Sequence, residues 1–237
     1  MSNINDARFE IYLSKDTFKF NASHFVAYPG FRERLHGHNY RVAVKLTGTH
    51  QIGGDGYVLD FGCVKSAAKR VCKDMNEYFL VPLLSDALKI TIEEGASDDS
   101  NICGQCDEGN DGDTTNEPNN KRLKRTYPGS INIQCEDGSK FLFPRQDCLL
   151  LPIMHSTCEE LAIYVYGRLL QELDREYLVT RGVKEMTVTV SEAAGQDAMF
   201  TRQIPGLEEN GEAFNVENYI RKGSIPPVPC LTETEAA

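Results

Sequence analysis

The chain begins with two stretches in which polar and apolar side chains alternate. Over 9–25, Phe18, Phe20, Ala22 and His24 share one face, while Thr17, Lys19, Asn21 and Ser23 share the other. A period of two predicts a half-buried strand. From about His38 to Thr47, the even positions His38, Tyr40, Val42, Val44 and Leu46 form a second face of this kind. Gly53-Gly54-Asp55-Gly56 marks a turn, and apolar residues at 64, 67, 68, 71, 75 and 79 predict a helix over 62–80. A second helix is predicted from Thr157 to Leu173, with Cys158, Leu161, Ala162, Val165, Leu169 and Leu173 turned inward. The strand predicted at 183–192 points Met186, Val188 and Val190 the same way. The order β-β-α-(insertion)-α-β predicts an α+β fold, with two helices packed on one face of an antiparallel sheet.

Between the helices, residues 86–147 break this pattern and read as a long insertion in a single domain spanning 1–222. Within it, 94–120 is rich in Asp, Asn, Gly and Ser and is expected to be disordered. Ile131–Cys135 and Lys140–Phe143 flank Glu136-Asp137-Gly138-Ser139, which predicts a hairpin within 131–144. Residues 223–237 carry Pro226, Pro227 and Pro229 and read as a flexible tail.

The net charge of −10 belongs to that insertion. Nine carboxylates and no Lys or Arg lie between Glu93 and Glu117, and without them the chain stands near −1. The body thus gives no reason for a basic partner. No basic stripe with interleaved aromatics suggests nucleic acid. Lys121-Arg122-Leu123-Lys124-Arg125 resembles a nuclear localisation run, though short runs of this kind are commonly solvated loop. No apolar stretch reaches the ~18 residues that span a membrane, and residues 1–10 lack a basic or apolar leader. A cytoplasmic chain with reduced thiols is expected, so the eight cysteines form no disulfide framework. Cys103-x-x-Cys106 has no matching second pair, since Cys135 and Cys148 lie 13 apart, and it reads as ordinary thiols.

Three of the five histidines cluster as His24, His36 and His38. His36 and His38 point the same way on their strand, onto the face of Tyr40, Val42 and Val44. His24 continues the apolar parity of the first strand. Two adjacent antiparallel strands would bring the three imidazoles onto one inward patch, and three neutral nitrogens with an open position suit a catalytic zinc ion.

These histidines also carry a resemblance. Phe20-Asn21-Ala22-Ser23-His24 and Leu35-His36-Gly37-His38-Asn39-Tyr40 are similar to the signature of the 6-pyruvoyl-tetrahydropterin synthase family. Gly56-Tyr57-Val58-Leu59-Asp60-Phe61, Thr157-Cys158-Glu159-Glu160-Leu161-Ala162 and Val190-Ser191-Glu192 match it in order. The resemblance covers roughly 8–82 and 150–202. It implies a T-fold (tunnelling fold) assembled as a homo-oligomer, commonly a hexamer built as a dimer of trimers. It also implies a 7,8-dihydroneopterin triphosphate substrate whose side-chain hydroxyls meet the zinc.

The carboxylates follow from the same comparison. Glu192 extends the inward series of its strand, where a carboxylate needs a partner. The 2-amino and N3–H groups of a pterin supply two parallel donors, and the family's ring-anchoring glutamate matches this position. Glu159 and Thr157 match its substrate-contacting stretch, although Ser156-x-x-Glu159 and Thr157-x-x-Glu160 both read as capping boxes. The family's cysteine before the H-x-H is absent from Tyr28–Leu35. Glu33 instead gives the E-x-x-H-G-H of a glutamate-bearing subgroup associated with side-chain cleavage to 6-hydroxymethyl-7,8-dihydropterin, a folate precursor. A carboxylate there can act as general base. The family's Asp-His dyad falls on Asn76-Glu77, so its imidazole is missing, and His155 or Glu77 is expected to take its part. Arg32 and Arg34 are candidates to meet the triphosphate. The resemblance therefore implies a zinc lyase of the cleaving kind. Triphosphate elimination to 6-pyruvoyl-tetrahydropterin, or a non-catalytic pterin- or metal-binding protein, are the alternatives.

Overall fold

The two N-terminal stretches of alternating polarity pair with each other at the centre of the main sheet. A computed structural model describes residues 7–49, 52–94, 129–205 and 216. Along the chain come β1 (Glu10–His24), β2 (Ala27–Tyr28), β3 (Phe31–Arg32), β4 (His36–Thr47), α1 (Phe61–Asp74), β5 (Tyr78–Pro82) and β6 (Leu88–Glu94). These are followed by β7 (Gly129–Cys135), β8 (Lys140–Pro144), β9 (Cys148–Leu151), α2 (Cys158–Glu172), α3 (Arg175–Thr180), β10 (Glu185–Ala193) and β11 (Gln196–Gln203).

The main sheet has the order β11-β10-β4-β1-β5-β9. Its first four strands are mutually antiparallel, and β5 and β9 extend it as parallel neighbours of β1 and of each other. α1 packs on β1 and β4, and α2 on β10 and β11. The inward parity of β1 (Leu13, Phe18, Phe20, Ala22), of β4 (Tyr40, Val42, Val44, Leu46) and of β10 (Met186, Val188, Val190) is buried beneath Val64, Ala67, Val71, Leu161, Val165 and Leu169. Each of the larger side chains contributes about 1.5–3 kcal/mol by leaving water.

The helix predicted over 62–80 is shorter. α1 stops at Asp74, and Met75 caps it by donating to the carbonyls of Cys72 and Lys73. Glu77, at φ 67°, then turns the chain into β5. The apolar residue at 79 shares helical spacing by coincidence. Tyr78-Phe79-Leu80-Val81-Pro82 is a run buried as a parallel strand, and short apolar runs do not declare their period. β11 was not anticipated either; it is an edge strand, exposed at most positions, with little apolar alternation to reveal it.

Chain between β5 and β9 forms a second sheet, in the order β6-β7-β8. Its ladder runs from Leu88↔Cys135 to Glu94↔Gly129, and β7 and β8 close a hairpin around 136–139. Ile131 and Ile133 of this sheet pack with Phe25, Phe79, Val81 and Cys148 in a smaller core of their own. The expectations for 94–120, for the basic run 121–125 and for 223–237 fall, apart from Glu94, outside the described residues.

Candidate metal centre and cleft

The β1–β4 register sets the site. His24 stands directly opposite His36, and His38 stands opposite the small Ala22, which leaves room for its ring. The three ring centroids lie 4.6–5.2 Å apart. β10 continues past its pairing of Ser191 with Arg41 and brings Glu192 to the same point. One potential ligand atom from each of His24, His36, His38 and Glu192 falls within 4.8 Å of the others, so the group could hold a metal ion.

The donor chemistry fits. His24 Nδ1 lies 2.8 Å from the Ser156 carbonyl oxygen, and His36 Nδ1 lies 2.7 Å from that of Arg34. A carbonyl accepts only, so each bond places the ring proton on Nδ1 and a lone pair on Nε2, the arrangement typical of metal-binding imidazoles. His24 is 2% exposed. Burial, opposed by the Ser156 bond and joined by the neighbouring histidines, pushes its imidazole below the ordinary value and favours the neutral form. His38 Nε2 is fully buried and makes no hydrogen bond. Glu192 Oε1 lies 3.0 Å from it, close but without hydrogen-bond alignment. An unpartnered buried nitrogen is costly, so His38 Nε2 facing this point suits a cation held there.

Beside the cluster opens a cleft of about 400 Å³ lined by His24, Glu33, Thr157, Cys158, Glu159, Glu192 and Asp197, among others. Glu33 reaches it from the end of the β2–β3 hairpin. Its N–H donates to the Val26 carbonyl at 2.9 Å, and its Oε2 accepts from Val26 N–H at 3.0 Å. Thr157 is the N-cap of α2 and accepts from Glu160 N–H. Glu160 folds back to accept from Met154 and His155 N–H. Of the second capping reading only the Thr157 half forms, since Glu160 turns to Met154 and His155, and Glu159 is left exposed on the cleft wall.

Glu77 and His155 stand apart from this lining. Glu77 is exposed and borders a second groove of about 580 Å³, which His38, Asn39, Tyr78 and Asp147 also line. His155 is half-buried, and its Nδ1 is tied to the Ala27 carbonyl at 2.9 Å. Arg32 makes its contacts with the second sheet.

Two residues at the site were missed by sequence reasoning, the buried Tyr40 and the cleft-lining Cys158. Tyr40 O–H donates to His24 Nε2 at 3.1 Å, and burial, then Glu192, push its phenol upward so that it stays protonated. Cys158 Sγ–H donates to Glu192 Oε2 at 3.5 Å. Tyr40 shared the parity of His38, which was a usable signal, whereas Cys158 was assigned to the helix's buried face.

A family model for 6-pyruvoyl tetrahydropterin synthase matches residues 12–203. Among solved structures, a 6-pyruvoyl tetrahydropterin synthase of Plasmodium vivax is 37% identical with a TM-score of 0.65, covering 84% of this chain and 100% of that one. It has also been solved as two variants, in which a glutamate described as catalytic is replaced by alanine or by cysteine. The Plasmodium falciparum 6-pyruvoyl tetrahydropterin synthase is 33% identical at the same TM-score of 0.65, again covering 84% and 100%. A Methanocaldococcus jannaschii protein, provisionally named a 6-carboxy-5,6,7,8-tetrahydropterin synthase, is 24% identical over 186 residues, 78% of this chain and 91% of that one.

Proposed function

From the premise that the chain belongs to the 6-pyruvoyl tetrahydropterin synthase family, we propose that it is a zinc-dependent lyase acting on 7,8-dihydroneopterin triphosphate. Its product in this reading is 6-hydroxymethyl-7,8-dihydropterin, formed by cleavage of the side chain. One observation carries it: a carboxylate, Glu33, lines the same cleft as His24 and Glu192, two members of the metal-competent cluster. A zinc ion on His24, His36 and His38 would supply a Lewis acid for the side-chain hydroxyls.

Glu33 takes and returns the protons of the side chain, and its fixed Oε2 keeps the carboxylate within reach of the cleft. Glu192 accepts the 2-amino and N3–H donors of the ring once its contacts with His38 and Cys158 exchange for them. Glu159 and Thr157 contact the substrate along the cleft wall. The Plasmodium vivax variants support a glutamate in the proton-moving part, because that relative's catalytic residue is also a glutamate. His155, bonded to Ala27, and Glu77, in the neighbouring groove, remain the groups proposed to stand in for the absent dyad.

The test incubates purified protein with 7,8-dihydroneopterin triphosphate, with and without chelator, and identifies the pterins formed. The expected product is 6-hydroxymethyl-7,8-dihydropterin, lost on chelation. A Glu33→Gln variant should retain metal and lose at least about a hundredfold in turnover. A tetrahydropterin product would overturn cleavage in favour of elimination. Metal-loaded protein that binds a pterin without turning it over would be the non-catalytic alternative.

A further inference from the structure

The β2–β3 hairpin has two residue pairs, Ala27↔Arg32 and Tyr28↔Phe31. A ribbon so short does not hold its own shape in water. Its end nevertheless carries Glu33, the carboxylate on which the proposed chemistry depends. The support comes from the second sheet.

Arg32 gathers the contacts. Its Nε donates to Asp137 Oδ2 at 2.8 Å and its Nη2 to Ser139 Oγ at 3.1 Å, both in the β7–β8 turn. The third nitrogen, Nη1, donates to the backbone carbonyl of Glu33 itself at 2.8 Å. Its guanidinium carbon lies 5.7 Å from the Phe25 ring centroid and 5.5 Å from that of Phe141. On the other side of the hairpin, Glu136 Oε2 accepts from Gly30 N–H at 2.9 Å. A planar guanidinium with donors on three nitrogens can make these bonds together; an ammonium cannot.

We propose that Arg32 is a positioning residue for Glu33, and that the β7–β8 turn is the strut through which the second sheet fixes the catalytic carboxylate. This replaces the expectation that Arg32 meets the triphosphate, and it rests on Glu33 being the proton-moving group. Asp137 keeps its charge across the working range, because the Ser139 N–H and then Arg32 hold its carboxyl below the usual carboxylate value. Asp137 is 44% exposed, so the pair adds little to stability. Its effect is geometric. A reacting group displaced by about 1 Å can lose on the order of a hundredfold in rate.

The test measures kcat, KM, metal content and thermal midpoint for Arg32→Lys, Asp137→Asn, the double variant and Glu33→Gln. Arg32→Lys should lower kcat at least tenfold while KM stays within about twofold and metal content is unchanged. Asp137→Asn should lower kcat in the same sense, and Asp137→Glu should recover most of the loss. The double variant should be no worse than Arg32→Lys alone, because both changes cut one bridge. Normal kcat in Arg32→Lys and Asp137→Asn, with Glu33→Gln inactive, overturns the strut and leaves Glu33 in place. Normal turnover in Glu33→Gln overturns the underlying reading instead. A loss of kcat that tracks lost metal or a raised KM makes Arg32 a structural or substrate-binding residue and overturns its positioning role.

Discussion

Cys158 lines the cleft beside the histidine cluster, where a thiolate could compete with Glu33 for the role of base. Its surroundings decide against that. Burial, then the Glu192 carboxylate, push the thiol up to about 12, so it is protonated at neutral pH and serves as a donor to Glu192. Carboxamidomethylation at pH 7.5, mapped by peptide mass, should therefore modify Cys158 more than about a hundredfold more slowly than a free thiol. Rapid labelling there would return the base role to sulfur. The residues of this site were unequally legible. Parity along two strands was sufficient to gather His24, His36 and His38, because alternation is a local property. The Ser156 carbonyl on His24 and the Asp137 carboxylate on Arg32 were not, since they come from 132 and 105 residues away. No local period reports such partners.

At the scale of elements, the junction between α1 and β5 is the most demanding place in the described backbone. Glu77 is its one non-glycine residue at positive φ, 67°. Its N–H donates to the Asn21 carbonyl at 2.7 Å, and Asn76 Oδ1 accepts from Asn21 N–H at 2.8 Å, so the turn is bonded directly to β1. A left-handed residue other than glycine costs about 1–2 kcal/mol, which Gly relieves at the expense of a looser unfolded chain. Glu77→Gly should thus lie between neutral and about 1 kcal/mol more stable, while β-branched Glu77→Val should lose about 1–2 kcal/mol. Denaturant midpoints check both. Equal midpoints for the two would mean the backbone relaxes away from 67°. This junction was also where reading the sequence failed, because a helical period ran on through residues that form a buried strand. The amphipathic helices and half-buried strands were legible, since each has one wet face. β5, wet on neither, and β11, wet at most positions, were not.

Taken whole, the main sheet ends in β11 on one side and β9 on the other, with no further strand paired to either among the described residues. Met199 of β11 is 68% exposed and Tyr12 of β1 is 64% exposed. Open strand edges and exposed apolar side chains invite pairing between chains, and the family is typically oligomeric. Sedimentation at micromolar concentration should give a multiple of the chain mass, with six copies the proposed number. A stable monomer would count against the homo-oligomer that the resemblance implies. No described helix is long and apolar enough to cross a membrane.

The ladder partner of Glu94 is Gly129. The two residues that flank 95–128 therefore face each other across one rung of the second sheet. Residues 129–147 are tied to the body, because the turn at 136–139 bears on the hairpin that carries Glu33. A single deletion in the β7–β8 hairpin would therefore reach the proposed site at once, through the turn that holds Arg32 and Gly30.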